Sequence, residues 1–167
     1  MTDTRTDPRF TLMTDRQSRR MLSIIRYTFL VLCLIGFVFY PLDLWILNHY
    51  TDVWESHIPF FVAAPSFLFT ALMLISPRTK AIRYPFMVLM ALNILMGLTG
   101  SILHFGFNLD WKFNWTLKDL QDGFEGGNPV LAALAFAHLG VTGLLCSLFP
   151  PEPRAGLATR VPTDLSS

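Results

Sequence analysis

The chain has 167 residues, of which 52% are hydrophobic and only 15% are charged, and its formal net charge is +1. Several long apolar runs of this kind exclude an ordinary soluble domain. No basic patch interleaved with aromatic residues lies outside the predicted cytoplasmic ends, so we expect no nucleic-acid partner. We therefore expect one membrane domain whose main partner is the lipid bilayer.

Four apolar runs are each close to 20 residues long. At about 1.5 Å per residue, a helix of that length covers the roughly 30 Å of a bilayer's hydrocarbon core. Backbone amides cannot stay unpaired in lipid, so each run should be a helix. We predict an all-α integral membrane fold, a four-helix antiparallel bundle, with helices at about 21–41, 58–76, 84–104 and 129–149.

The segments outside the apolar runs are polar. Residues 1–20 form a basic stretch that we expect to be flexible, with the transmembrane domain at 21–149 and a disordered tail at 150–167. Pro41 is expected to end the first helix. Arg19, Arg20 and Arg26 are expected to lie against anionic headgroups.

Charge is distributed unevenly between the two ends of the predicted bundle. Cations collect before the first run, in the turn from Pro77 to Arg83, and in the tail, whereas the two larger loops carry seven acids. By the positive-inside rule, both termini are predicted to be cytoplasmic and both larger loops to face outward.

The outer loop between the third and fourth runs contains a short amphipathic segment. Thr116 and Asp119 have the spacing of a capping box, and Leu117, Leu120 and Phe124 share one face. We predict a short helix there that lies flat in the membrane interface.

Histidines and carboxylates collect at the outer end. His57 and His104 lie 23 residues before and 24 residues after Lys80, the middle of the turn, so they should have the same depth. Imidazoles and carboxylates together can bind transition metals. A solvated loop is the default interpretation, since the spacing matches no metal motif. The alternative is a metal or haem site formed by His49, Asp52, Glu55, His57 and His104.

One histidine, His138, lies deep within the last run. An imidazole at that depth should face protein, because lipid offers no hydrogen-bond partner. Asn93 of the third run lies near the same depth, so we predict a buried His138–Asn93 pair, with a ligand or proton-relay role as the alternative. Small residues in the same two runs predict close helix packing, namely Gly97, Gly100, Ser101, Gly140 and Gly143.

Three functional interpretations fit these features. The preferred interpretation is an accessory or structural subunit of a larger membrane complex, contacting other membrane subunits or self-associating. The alternative is a redox, metal- or haem-handling protein acting at the outer face. A third interpretation is a lipid- or quinone-modifying enzyme with His138 as acid or base, although no catalytic or phosphate-binding motif supports an enzyme.

Overall fold

The computed structural model describes the backbone of residues 8–46 and 57–148, and side chains from residue 17 onward within those ranges. This part of the chain forms five helices and no strand: α1 (Pro8–Ile46), α2 (Ile58–Ile75), α3 (Lys80–Asn108), α4 (Leu117–Glu125) and α5 (Val130–Leu148). All but α4 are long and apolar enough to cross a membrane. The predicted all-α class with four candidate spans is therefore confirmed for the described residues.

α1 and α3 are both longer than the apolar runs that predicted them. α1 begins at Pro8 and continues through Pro41, so the segment expected to be flexible is helical from residue 8 and Pro41 does not end the helix. Once the apolar run has nucleated a helix, each added residue costs little. Proline at the first position lacks only an amide that would have no partner there. Proline inside a membrane helix is tolerated because neighbouring groups satisfy the freed carbonyl.

The four long helices contact one another in a closed order. α1 contacts α2 and α5, and α3 contacts the same two helices, with the most extensive interface between α3 and α5. The shared core is apolar and comes from every long helix, with Leu30 and Phe37 on α1, Met73 on α2, Phe86 and Met90 on α3, and Phe136 on α5.

Glycines bring α3 and α5 into backbone contact. A methyl group on Gly97 would lie 2.7 Å from the Ala133 carbonyl oxygen, and one on Gly140 would lie 2.5 Å from the Met90 carbonyl oxygen. Residues late in α3 thus meet residues early in α5. Only residues without a side chain allow the two backbones to approach this closely. Small residues are the usual basis of tight helix pairs in membranes.

The loop after α3 folds back onto the end of that helix. The Asn108 side-chain amide donates to the carbonyl oxygens of Gly123 (2.8 Å) and Asn128 (3.1 Å). α4 begins with the predicted capping box, formed by Thr116 and Asp119. Backbone N–H groups of Asn114 and Thr116 donate to the Asp119 carboxylate and hold its pKa below the ordinary value. The Asn108 bond to Gly123 connects α4 to the end of α3.

Candidate functional site

The outer histidine cluster falls only partly within the described residues. His57 is exposed just before α2, and His104 is half-buried on α3. His49, Asp52 and Glu55 lie outside the described residues. Among the side chains that the structure describes, in residues 17–46 and 57–148, no group of three or more His, Cys, Asp or Glu is placed to hold a metal ion. The metal or haem site therefore stays a prediction.

His138 is exposed on the surface of α5, at the ninth of its nineteen residues. Its flanking positions along the helix, Leu134 and Val141, are also exposed, at 43% and 46%. The imidazole therefore lies among apolar side chains, halfway along a candidate membrane span. This position differs from the sequence interpretation, in which the ring faces the interior of the bundle.

Asn93 is fully buried, but its partner is on α2 rather than α5. The Asn93 amide donates to the Ser66 hydroxyl (2.7 Å) and to the Leu89 carbonyl oxygen (2.8 Å). The expected His138–Asn93 pair is not formed, because His138 is exposed on α5 whereas the Asn93 amide is buried against Ser66. The buried amide instead joins α3 to α2 in the middle of the bundle.

A buried arginine joins three helices at the opposite end from α4. Arg26 is only 3% exposed. Its Nε donates to the Cys146 carbonyl oxygen on α5, and its Nη2 donates to the Met73 carbonyl oxygen on α2, both at 3.2 Å. Both carbonyls belong to the last turn of a helix, where intrahelical donors are missing. The guanidinium therefore satisfies carbonyl groups at two helix ends at once. The partial negative charge at each helix C-terminus also stabilises the positive charge of the guanidinium.

Arg83 makes a similar contact from α3. Its Nη2 donates to the Ser147 carbonyl oxygen of α5 at 2.9 Å. We call Arg26 and Arg83, with the carbonyls of Met73, Cys146 and Ser147, the arginine clamp. The clamp brings the basic start of α3 and the basic part of α1 to the same end of the bundle.

The expectation that Arg26 lies against lipid headgroups is wrong, because its side chain is enclosed by protein. A signal was present in the sequence. Arg26 shares one helical face with Leu30, Cys33 and Phe37, at spacings of four, three and four residues. All three of those residues are buried. When the same periodicity is extended back to position 26, it indicates a buried cation there.

Aromatic side chains cover the loop between α3 and α4. Phe113 stacks on Trp115 (centroids 5.7 Å apart) and meets Trp111 edge-on (6.4 Å). Trp111 and Trp115 both have a φ of 57°, a left-handed conformation unusual for bulky residues. Trp115 and the neighbouring Leu117 are 88% and 87% exposed. The arrangement presents large amphipathic rings and apolar side chains outward, as residues at a membrane–water boundary do.

Comparison with known proteins gives no further constraint on this site. No protein-family model, no curated protein and no solved structure matches the chain. Its function has to be argued from its own residues.

Proposed function

We propose that this protein is a structural subunit of a membrane assembly and that the exposed side of α5 is its contact surface. One observation carries the proposal: an ionisable side chain, His138, lies exposed halfway along a candidate membrane span. Ionisable residues at that depth in lipid are costly and are found facing protein or a water-filled cavity. A protein partner covering α5 removes that cost.

The enclosed polar side chains of Asn93 and Arg26 support this proposal by contrast. Asn93 is enclosed and bonded to Ser66, and Arg26 is enclosed and bonded to two helix-end carbonyls. Among the described residues, no hydrogen bond or ion pair to the His138 imidazole is found. The folded single chain thus encloses Asn93 and Arg26 and gives each at least two hydrogen bonds, leaving only the Asn93 Oδ1 and Arg26 Nη1 atoms of these two residues without a partner, whereas it presents His138 outward.

The proposed assembly is tested by the size of the particle and by a pair of variants. Extracted from its native membrane in a mild detergent, the protein should elute with a mass above that of one 19.0-kDa chain. His138→Ala should shift the particle toward the single chain, because the polar contact is lost. Leu95→Ala, at a 62% exposed position halfway along α3, is the matched control and should leave the mass unchanged. Recovery of the unaltered protein as a single chain from native membrane contradicts the proposal.

We also propose that the arginine clamp faces the cytoplasm, with both termini inside and with α4 in the outer interface of an antiparallel bundle. Support comes from the charges at the two ends. Arg26 and Arg83 bind the ends of α2 and α5, and cytoplasmic ends of membrane helices carry excess Lys and Arg. The exposed apolar face of α4, with Leu117 87% and Leu120 50% exposed, suits a helix lying in the headgroup layer.

Orientation is tested by labelling with a membrane-impermeant thiol reagent. Asp122→Cys, on exposed α4, should react in intact cells, whereas Thr79→Cys, in the turn before α3, should react only after the membrane is opened. The native thiols Cys33 and Cys146 are buried, so the unaltered chain is the background control. The reverse pattern, with residue 79 labelled from outside, would invert the proposed orientation.

A further inference from the structure

The exposed side of α5 is a continuous stripe. Its apolar members are at least 43% exposed, and His138 interrupts them in the middle. In chain order the stripe, which we call the α5 stripe, is Leu131, Leu134, His138, Val141, Leu145 and Leu148.

Spacing along the α5 stripe alternates regularly between three and four residues. This is the heptad pattern with which two helices pack along several turns. Each side chain of the pattern inserts between side chains of the facing helix. His138 occupies one core position of that pattern, and a single polar residue at such a position is a known device for fixing register between paired helices. The half-buried Ala135 and Thr142 flank it, so their small side chains leave room for a close approach.

We infer that the α5 stripe binds the α5 stripe of a second copy of this chain, with the two His138 side chains facing each other. The inference rests on the proposed assembly function and names its partner. Two copies inserted in the same orientation are related by an axis along the membrane normal, which brings identical residues to the same depth and makes residue i meet residue i.

The chemistry of imidazole fits this symmetric arrangement. A neutral imidazole has one N–H donor and one nitrogen acceptor, so two of them form a hydrogen bond without any third group. A contact surface whose only polar member is its own complement favours an identical surface over an unrelated one. The mid-length position of His138 also leaves apolar stripe on both sides, two residues of it toward the start of the helix and three toward its end.

Cysteine cross-linking in native membranes tests this inference. His138→Cys should form a disulfide-linked dimer under mild oxidation, because the paired side chains lie face to face. Leu95→Cys, equally deep and exposed on α3, is the matched control and should remain monomeric, as should the unaltered chain with its buried thiols.

Each other outcome overturns part of the argument. A cross-link from residue 138 to a different polypeptide overturns the second-copy inference and leaves the assembly proposal standing. Equal dimer yields at positions 138 and 95 indicate random collision and overturn the inference too. Monomer at position 138, together with a single-chain particle for the unaltered protein, overturns both.

The hydrogen bond itself is tested by two uncrosslinked variants in lipid vesicles, with dimerisation followed by energy transfer between labelled copies. His138→Leu should weaken dimerisation by about three- to thirtyfold, the effect of losing one interhelical hydrogen bond in a membrane. His138→Asn, which keeps a donor and an acceptor, should restore most of the affinity. An asparagine variant as weak as the leucine variant contradicts a hydrogen-bonded histidine pair.

Discussion

Gly97→Ala should destabilise the bundle by about 2–3 kcal/mol, within the range that overpacking a tight core costs. The added methyl group would lie 2.7 Å from the Ala133 carbonyl oxygen and would also overlap the Ala137 backbone nitrogen. Backbone atoms cannot rotate away as a side chain can, so α3 and α5 must separate. Because this is the most extensive interface in the bundle, its separation should lower the free energy of unfolding measurably.

Gly100→Ala is the matched control on the same helix. A methyl group there would lie 3.2 Å from the Ala133 side-chain methyl, a contact that a small shift relieves. Alanine is also the better helix former by about 1 kcal/mol, so we expect little net change. Unfolding is measured in detergent by reaction of a thiol dye with Cys33 and Cys146, which are buried until the bundle opens. Equal stability of the Gly97 and Gly100 variants would falsify the proposed close packing.

Arg26→Ala is the second change for which we expect a large effect, about 2–4 kcal/mol of lost stability. The variant loses both hydrogen bonds to helix-end carbonyls and leaves a cavity where three helices meet. Arg83→Ala removes a single bond from a half-buried side chain, so about 1 kcal/mol is expected. The thiol-dye assay measures both variants.

Two further variants separate the charge of Arg26 from its shape. Arg26→Met keeps much of the volume and removes the buried charge, a change that is often close to neutral when packing is preserved. Arg26→Glu places a negative charge among carbonyl oxygens and should prevent folding. If Arg26→Ala is as stable as the unaltered chain, the clamp does not hold the helices together.

The membrane class followed from the sequence because it depends on local quantities. Length and hydropathy of each run fix the number of candidate spans, and lipid leaves the helix as the only conformation for an isolated apolar segment. The capping box at Thr116 was equally readable, since it needs only the types of two residues three positions apart. Helix ends were less readable, because α1 extends beyond its apolar run in both directions.

Rotation of each helix about its own axis was decided by tertiary structure. The sequence gives the depth of His138, but α5 is apolar on nearly every side, so hydropathy does not tell which side packs inward. Small residues held that information: Ala133 and Gly140 lie on the side that meets α3, and His138 is about 140° around the helix from Ala133 at 100° per residue. Close backbone contact thus turned the imidazole outward, although burial of polar groups alone predicts the opposite.

Composition and hydropathy by themselves predicted the four apolar helices found in the described residues, because each of those features acts within a single segment. Only the packing of one helix on another decided that Arg26 is enclosed, that Asn93 bonds Ser66, and that His138 is exposed. Those outcomes depend on which side chains are small enough to let two helices meet, and that is a property of pairs of segments.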